Sequence, residues 1–383
     1  MDRDKANKMI AEVFNEIADN IKSGSFGKKV KIGLTILGSE HGTEEMIKAA
    51  EMAKQKYDDF DVVLIGPKNS SSLETIEVYS NEEAHKIMLQ LLESKKIDGC
   101  VTQHFDFPIG VATVGKVVTP GRGKEMLIAT TTGTSSSDRV EGMVINTIAG
   151  IAAAKASGIE NPKIGILNID GARKAERILR ELKNKGYHIE FEESLRADGG
   201  AVMRGNDLLA GSPDVMVCDS LTGNLLVKIF SSFTTGGNYE TIGGGYGPGV
   251  GENYDKLISI VSRASGAPLI CEALKFCANC AKNKIIEIAA SEFSKANDAG
   301  LKQIISKNKA EKSTKAEEIK IPPKKVVTYA IAGIDILELD NACAVLWKEG
   351  IYSESGMGCT GPIVLVAEED NKRAEDILKS SGF

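Results

Sequence analysis

Met126-Leu127-Ile128-Ala129-Thr130-Thr131-Thr132-Gly133-Thr134-Ser135-Ser136-Ser137-Asp138 passes from four apolar residues through a hydroxyl-rich turn into a segment of helical periodicity ending near residue 157. That order predicts a buried strand, a loop and a long helix. Hydroxyls and free N–H groups at a helix start can form an anion site. They can equally be an overbuilt N-cap, with one hydroxyl capping and the others solvated. Both readings stand at this level.

The same alternation continues in both directions. Upstream, residues 30–36, 61–66 and 99–102 read as strands, and 43–56 and 82–94 as helices. Downstream come strands over 163–169, 188–191 and 214–219, a helix over 172–185, and a helix that carries Lys228. Such alternation argues for α/β domains with largely parallel sheets, in which ligands bind beyond the carboxyl ends of strands. Residues 236–251 hold many glycines without the residue order of a P-loop, so they read as a mobile or close-packed loop rather than a nucleotide site.

Length and composition bound the rest. A chain of 383 residues suits two or three domains. A net charge of -6 gives no encouragement to nucleic-acid or membrane-surface binding. No apolar run reaches the length of a membrane span. Met9, Ile10, Val13, Phe14, Ile17 and Ile21 describe an amphipathic packing helix within residues 1–27, not a signal peptide. Seven cysteines in an acidic, signal-free chain suggest a reducing cytoplasm and free thiols. Cys271, Cys277 and Cys280 include a C-x-x-C pair, but none of the four histidines is nearby and Cys277 falls on an apolar helical face, so no metal site is expected.

The expected organisation is an N-terminal helix (1–27), a first α/β domain (28–146 and 267–305), a second (147–266), a linker (306–325) and a small α+β domain (326–383). Lysine, glutamate, serine and threonine mark the linker, which ends at Pro322-Pro323. The last domain carries Ser355-Gly356-Met357-Gly358-Cys359-Thr360-Gly361-Pro362 ahead of a short strand. Gly356, Gly358 and Gly361 leave the sulfur of Cys359 nearly unshielded and let N–H groups converge to stabilise a thiolate or an oxyanion. The plainer alternative is a small buried hydrophobe in a turn.

Met203-Arg204-Gly205-Asn206-Asp207-Leu208-Leu209 and Asp214-Val215-Met216-Val217-Cys218-Asp219-Ser220-Leu221-Thr222-Gly223-Asn224-Leu225-Leu226-Val227-Lys228 closely resemble the core of the acyl-carrier-protein:phosphate acyltransferases. Val261-Ser262-Arg263-Ala264-Ser265 is similar to the serine–arginine motif of phosphate acetyl- and butyryltransferases, although phosphotransbutyrylases carry an aspartate in place of Ser265. This likeness runs from about residue 28 to about residue 290. The terminal module is foreign to those enzymes, and the whole chain resembles the component C alpha subunits of glycine, sarcosine and betaine reductase complexes.

The resemblance implies a two-domain phosphate acyltransferase-like α/β body with the small α+β domain appended. It implies a cytoplasmic enzyme of anaerobic amino-acid fermentation, with a ketoacyl synthase-like beta subunit and the selenoprotein component A as partners; a homo-oligomer stays open. In such complexes a carboxymethyl selenoether becomes an enzyme-bound acetyl group, released on phosphate as acetyl phosphate. Inorganic phosphate is then a substrate and no bound cofactor is required. An acetyl phosphate precursor must itself be activated, which a thioester on Cys359 satisfies and a serine ester does not. Arg263 can hold two phosphate oxygens, Ser262 can add a hydrogen bond, and Asn224 can position the acyl carbonyl or phosphate. Thr131, Thr132, Thr134, Ser135 and Ser136 complete the expected phosphate and acyl site. Lys228 reads as a solvated helix residue. A free-standing phosphate acyltransferase acting on coenzyme A or carrier-protein thioesters, and a non-catalytic scaffold subunit, remain the alternatives.

Overall fold

The computed structural model describes residues 14, 17, 29–196, 199–313, 321–335, 338–358 and 361–383. The expected N-terminal helix therefore lies outside the described residues, apart from Phe14 and Ile17, which are both helical.

The chain opens with β1 (Val30–Thr35), α1 (Thr43–Lys56), β2 (Phe60–Gly66), β3 (Glu74–Glu77), α2 (Asn81–Glu93) and β4 (Gly99–Thr102). Glu44 and Glu45 in the first turn of α1 and Lys54 and Lys56 in its last suit the helix dipole, and Met46, Ile47, Ala49, Ala50 and Ala53 form its buried stripe. A long hairpin follows, β5 (Val111–Val118) and β6 (Glu125–Thr134), then α3 (Arg139–Ala156), capped by the Asp138 carboxylate accepting from Glu141 N–H at 3.0 Å. The chain continues through β7 (Lys163–Leu167), α4 (Ala172–Asn184), β8 (Glu190–Phe191), β9 (Val202–Met203), α5 (Gly205–Ala210), β10 (Val215–Val217) and α6 (Ser220–Ser232). Strands β11 (Gly247–Gly251) and β12 (Ile258–Ile260) precede α7 (Ala267–Lys282), α8 (Ile285–Asp298) and α9 (Leu301–Ser313).

These strands form one sheet ordered β3-β2-β1-β4-β12-β11-β5-β6-β10-β7-β8, with β9 also on β7. Pairing is parallel on both flanks and antiparallel only among β12, β11, β5 and β6. The β11/β5/β6 ribbon thus joins two parallel flanks running in opposite senses. Helices cover both faces over two apolar clusters, one around Ile32, Leu34, Met143, Ile164 and Leu274, the other around Val63, Ile128, Met216 and Ile258.

Four expectations change. Residues 130–134 continue β6 instead of forming a loop, because threonine suits a pleated strand and Gly133 and Thr134 pair with Ala112 and Val111 of β5. Residues 247–251 are a buried strand despite their glycines: a Cβ on Gly247 would stand 1.8 Å from the Val114 carbonyl oxygen, so only glycine permits that approach. Residues 306–313 belong to α9, where Leu301, Ile304 and Ile305 are buried, so the expected linker begins as helix. The expected boundary at 146/147 falls inside α3.

The C-terminal module comprises β13 (Tyr329–Ala332), α10 (Leu339–Lys348), β14 (Ser353–Gly358), β15 (Gly361–Val366) and α11 (Asn371–Ser380). Its antiparallel sheet is ordered β13-β15-β14, and Leu339, Leu346, Val364, Val366 and Leu378 lie in a separate core. The module rests on α4. Gly171 N–H donates to Asp335 at 2.9 Å, Arg177 to the Gly382 carbonyl at 2.6 Å, and Lys174 pairs with Glu338 at 3.4 Å.

Candidate functional site

Helix α6 starts directly after β10 because Asp219 caps it, accepting from Thr222 N–H at 3.0 Å. Gly223 presses the first turn of α6 against β6: a Cβ there would lie 1.8 Å from the Thr130 carbonyl oxygen. Asn224 is thereby held at β6, its amide donating to the Thr131 carbonyl at 3.2 Å. One turn on, Lys228 meets the loop after β12. Its ammonium lies 2.8 Å from Glu240 and 3.4 Å from the Ser262 hydroxyl. Helix α6 therefore links the Thr131 end of β6 to the carboxyl end of β12.

Lys228 is not the solvated residue the sequence reading makes it. Glu240 is 1% exposed, and a carboxylate that deeply buried needs a cation and a full set of donors. Its other oxygen accepts from the Ser265 hydroxyl at 3.0 Å, which brings a carboxylate to Ser265 from 25 residues earlier in the chain. Burial pushes the neighbouring Tyr246 phenol far up, the charge of Glu240 adds to the shift, and a hydrogen bond with Ser262 opposes it.

The loop after β12 is held firmly. Glu40 N–H donates to the Arg263 carbonyl at 2.9 Å, the His41 ring lies 3.1 Å from the Ala264 carbonyl, and Ala264 N–H donates to Ser262 at 3.1 Å. Glu45 accepts from Ala267 N–H at 2.8 Å at the start of α7, and from Tyr239. Burial works to raise the pKa of Glu45, but Tyr239, Ala267, Lys48 and His41 outweigh it and hold the carboxyl below its usual range. Arg263 projects from this fixed loop, exposed, and its guanidinium has no partner among the described residues. An unpaired cation on a rigid loop, next in sequence to a hydroxyl that lies 3.4 Å from an ammonium, can receive a small oxyanion.

The hydroxyls of the β6–α3 junction divide. Thr131 is buried, 2.6 Å from the Thr113 hydroxyl and donating to the Tyr246 carbonyl at 2.8 Å, so it touches the cluster through Tyr246. Ser135 is bound to Asn146, and Ser136 donates to Glu141 at 2.6 Å, which spends both on closing α3. Thr132 is half-buried and Thr134 exposed. The junction is thus largely a cap, with Asp138 and Glu141 already supplying the negative charge at the helix start.

Gly356 pairs with Ile363, and Gly358 with Gly361, at the end of the β14–β15 ladder. Cys359 and Thr360, which connect those strands, lie outside the described residues. Cys100, Cys218, Cys271, Cys277, Cys280 and Cys343 are all buried free thiols. Burial raises every one, Cys271 to about 11 and Cys277 to about 12. Among the described residues no group of three His, Cys, Asp or Glu side chains is placed to hold a metal, and no helix is long and apolar enough to cross a membrane.

Glu240 is the residue sequence reasoning missed. The available signal was its isolation: it is the sole charged residue between Lys228 and Glu252, in a stretch of glycine, aromatic and hydroxyl residues.

A family model described as a fatty acid synthesis protein matches residues 30–365. The chain is 58% identical over 378 residues, 98% of both chains, to the glycine/sarcosine/betaine reductase complex component C subunit alpha of Peptoclostridium acidaminophilum. It is 25% identical over 238 residues to a phosphate acyltransferase of Thermotoga petrophila, covering 52% of this chain and 67% of that one. A 4-hydroxythreonine-4-phosphate dehydrogenase from Klebsiella pneumoniae superposes with a TM-score of 0.39 at 9% identity, covering 66% of this chain and 98% of that one, a likeness too slight to argue from. The end-to-end match at 58% identity and the family model over residues 30–365 place this chain in the family of component C alpha subunits of glycine/sarcosine/betaine reductase, within the fatty acid synthesis proteins.

Proposed function

We propose that the chain transfers an acetyl group from a thioester on Cys359 to inorganic phosphate, releasing acetyl phosphate, as one subunit of a reductase complex. A phosphate oxygen attacks the thioester carbonyl carbon and the C–S bond breaks. The sulfur leaves as thiolate and takes up the proton that phosphate loses. In this reading Arg263 and Ser262 hold the phosphate, the Lys228 ammonium, 3.4 Å from Ser262, assists them, and Asn224, one turn earlier on α6, positions the acyl carbonyl or phosphate. Thr131 joins this region through its hydrogen bond to the Tyr246 carbonyl, and Thr132 and Thr134 are assigned to the acyl side of the site. The observation that carries the reading is the unpartnered Arg263 guanidinium on a loop fixed beside Ser262, Lys228 and buried Glu240. The name of the similar component C subunit supports a place in a multi-subunit reductase complex; the partners proposed for it are a ketoacyl synthase-like beta subunit and a selenoprotein, in the cytoplasm.

Arsenolysis tests this cheaply. Arsenate in place of phosphate should drain acetyl phosphate in the presence of the isolated chain without coenzyme, and Cys359→Ala should stop the drain. A requirement for coenzyme A would favour the free-standing acyltransferase, the reading supported by the 25% identity to phosphate acyltransferases. An inert chain would favour a scaffold.

A further inference from the structure

The hydrogen bonds around Ser262 fix which way its proton points. Its oxygen accepts from Ala264 N–H at 3.1 Å and lies 3.4 Å from the Lys228 ammonium, which has only donors to offer. A hydroxyl oxygen has two lone pairs, so these contacts fill both and leave Ser262 only its proton to give. The Tyr246 phenol, 4% exposed, is the next hydroxyl along, joined to Ser262 by a hydrogen bond. A chain of hydroxyls that starts at an ammonium has one polarity, with every O–H pointing away from Lys228. Its outer end is a donor whether Ser262 or Tyr246 stands last.

Among the described residues, the carboxylate hydrogen-bonded into this cluster is Glu240. It is 1% exposed, with one oxygen on Lys228 and the other on Ser265. Arg263, next in sequence to Ser262, is exposed and carries donors only. Glu45 is engaged by Ala267 N–H and Tyr239. From the loop after β1, the His41 ring meets the Ala264 carbonyl and the Glu40 N–H meets the Arg263 carbonyl. The groups bonded around Ser262 thus present hydrogens, and the carboxylate among them is closed off.

We propose, on the reading of Ser262 and Arg263 as the phosphate site, that Lys228 and Glu240 are positioning residues that make this site donor-only, so that it selects tetrahedral dianions and takes sulfate as readily as phosphate. Doubly charged phosphate turns three bare oxygens to Arg263, Ser262 and Lys228, and its one P–OH to solvent. The singly charged form has two bare oxygens and a second P–OH, which would face a donor and stay unpaired. Sulfate has four bare oxygens and meets no such penalty. Telling the two dianions apart would take an acceptor, and the burial of Glu240 withholds it.

Calorimetric titration of the full chain with inorganic phosphate and, separately, with sulfate tests this. In wild type at about pH 8, sulfate should displace phosphate and bind within about threefold of it. Phosphate affinity should fall about tenfold between about pH 8 and about pH 6, following its second ionisation, while sulfate keeps its charge and changes less than about twofold. Glu40, His41, Glu45, Lys48, Tyr239 and Glu240 act on both ions alike, so the ratio of the two affinities isolates the state of the ligand. Lys228→Met with Glu240→Gln frees Ser262 to turn and should cut the phosphate change to below about threefold, whereas Ser262→Thr keeps the hydroxyl and should hold it near about tenfold. Should the paired variant fail to fold, the wild-type titrations still decide. Sulfate more than about tenfold weaker than phosphate at about pH 8 would overturn the proposal, as would a phosphate affinity that tracks sulfate across the range or a wild-type pH response in the paired variant. Arg263→Ala separates this inference from the reading beneath it. If wild type rejects sulfate and Arg263→Ala loses phosphate, the donor-only site alone falls; unchanged phosphate binding in Arg263→Ala removes the phosphate site and this proposal with it.

Discussion

Glu240 spends one carboxylate oxygen on Lys228 and the other on Ser265, and almost none of it reaches solvent. Lys228→Met should therefore strand a buried charge and lower stability by about 2–3 kcal/mol, less than a fully buried pair would lose because the Lys228 side chain is 45% exposed. Thermal melting checks this, and adding Glu240→Gln should return part of the loss. Arg263 behaves oppositely. Its guanidinium supports no fold contact, so Arg263→Ala should leave the melting temperature unchanged while slowing phosphorolysis by on the order of 2 kcal/mol, with Arg263→Lys recovering part. Mass spectrometry should find acetyl groups persisting on Cys359 in the alanine variant. Iodoacetate at neutral pH should label Cys359 before any other thiol, since the remaining six are buried and raised. A peptide map led by Cys271 or Cys277 would end that expectation.

At the scale of elements, local signals served well where the helix itself decides. Residues 43–56 were legible as a helix because acids at the start, lysines at the end and an apolar stripe all agree. Residues 130–134 were misread because threonine serves a turn or a strand equally, and only pairing with β5 chooses between them. The Lys228–Glu240–Ser265 contacts were invisible because three segments meet only after the sheet has formed. Gly223 shows the same limit: nothing in its neighbours announces that α6 lies against the Thr130 carbonyl. Gly223→Ala should push α6 off β6, cost on the order of 3 kcal/mol in stability and displace Asn224, measurable by denaturant titration. The tie between Asp59, just before β2, and α7 should govern part of the acid sensitivity. Burial works to raise the pKa of Asp59, but Lys275 and Lys282 outweigh it and hold it at about 2. An unfolded aspartate titrates near about 3.9, so the tie contributes fully above that pH and is lost as the pH falls through about 2. Asp59→Asn should flatten this part of the stability curve between about pH 4 and about pH 2, again by denaturant titration.

For the molecule as a whole, the hydrogen bonds and ion pairs described between module and body run through Gly171, which precedes α4, and Lys174 and Arg177 on it. The module has its own apolar core and leans on those few bonds, so docking should be reversible. Lys174→Ala with Arg177→Ala should widen the solution scattering envelope while both cores keep their melting transitions.

The sheet order also carries a message for synthesis on the ribosome. Strand β4 leaves the exit tunnel long before β12, its neighbour on the far side, and α7, which covers the same flank, comes later still. Until then β4 offers an open edge flanked by valine- and isoleucine-rich strands, the kind of surface that nascent chains join by mistake. The first half of this protein should therefore need chaperone protection until about residue 282 has emerged. A chain stopped at residue 256 should collect in the pellet, whereas one stopped at residue 313 should stay in solution.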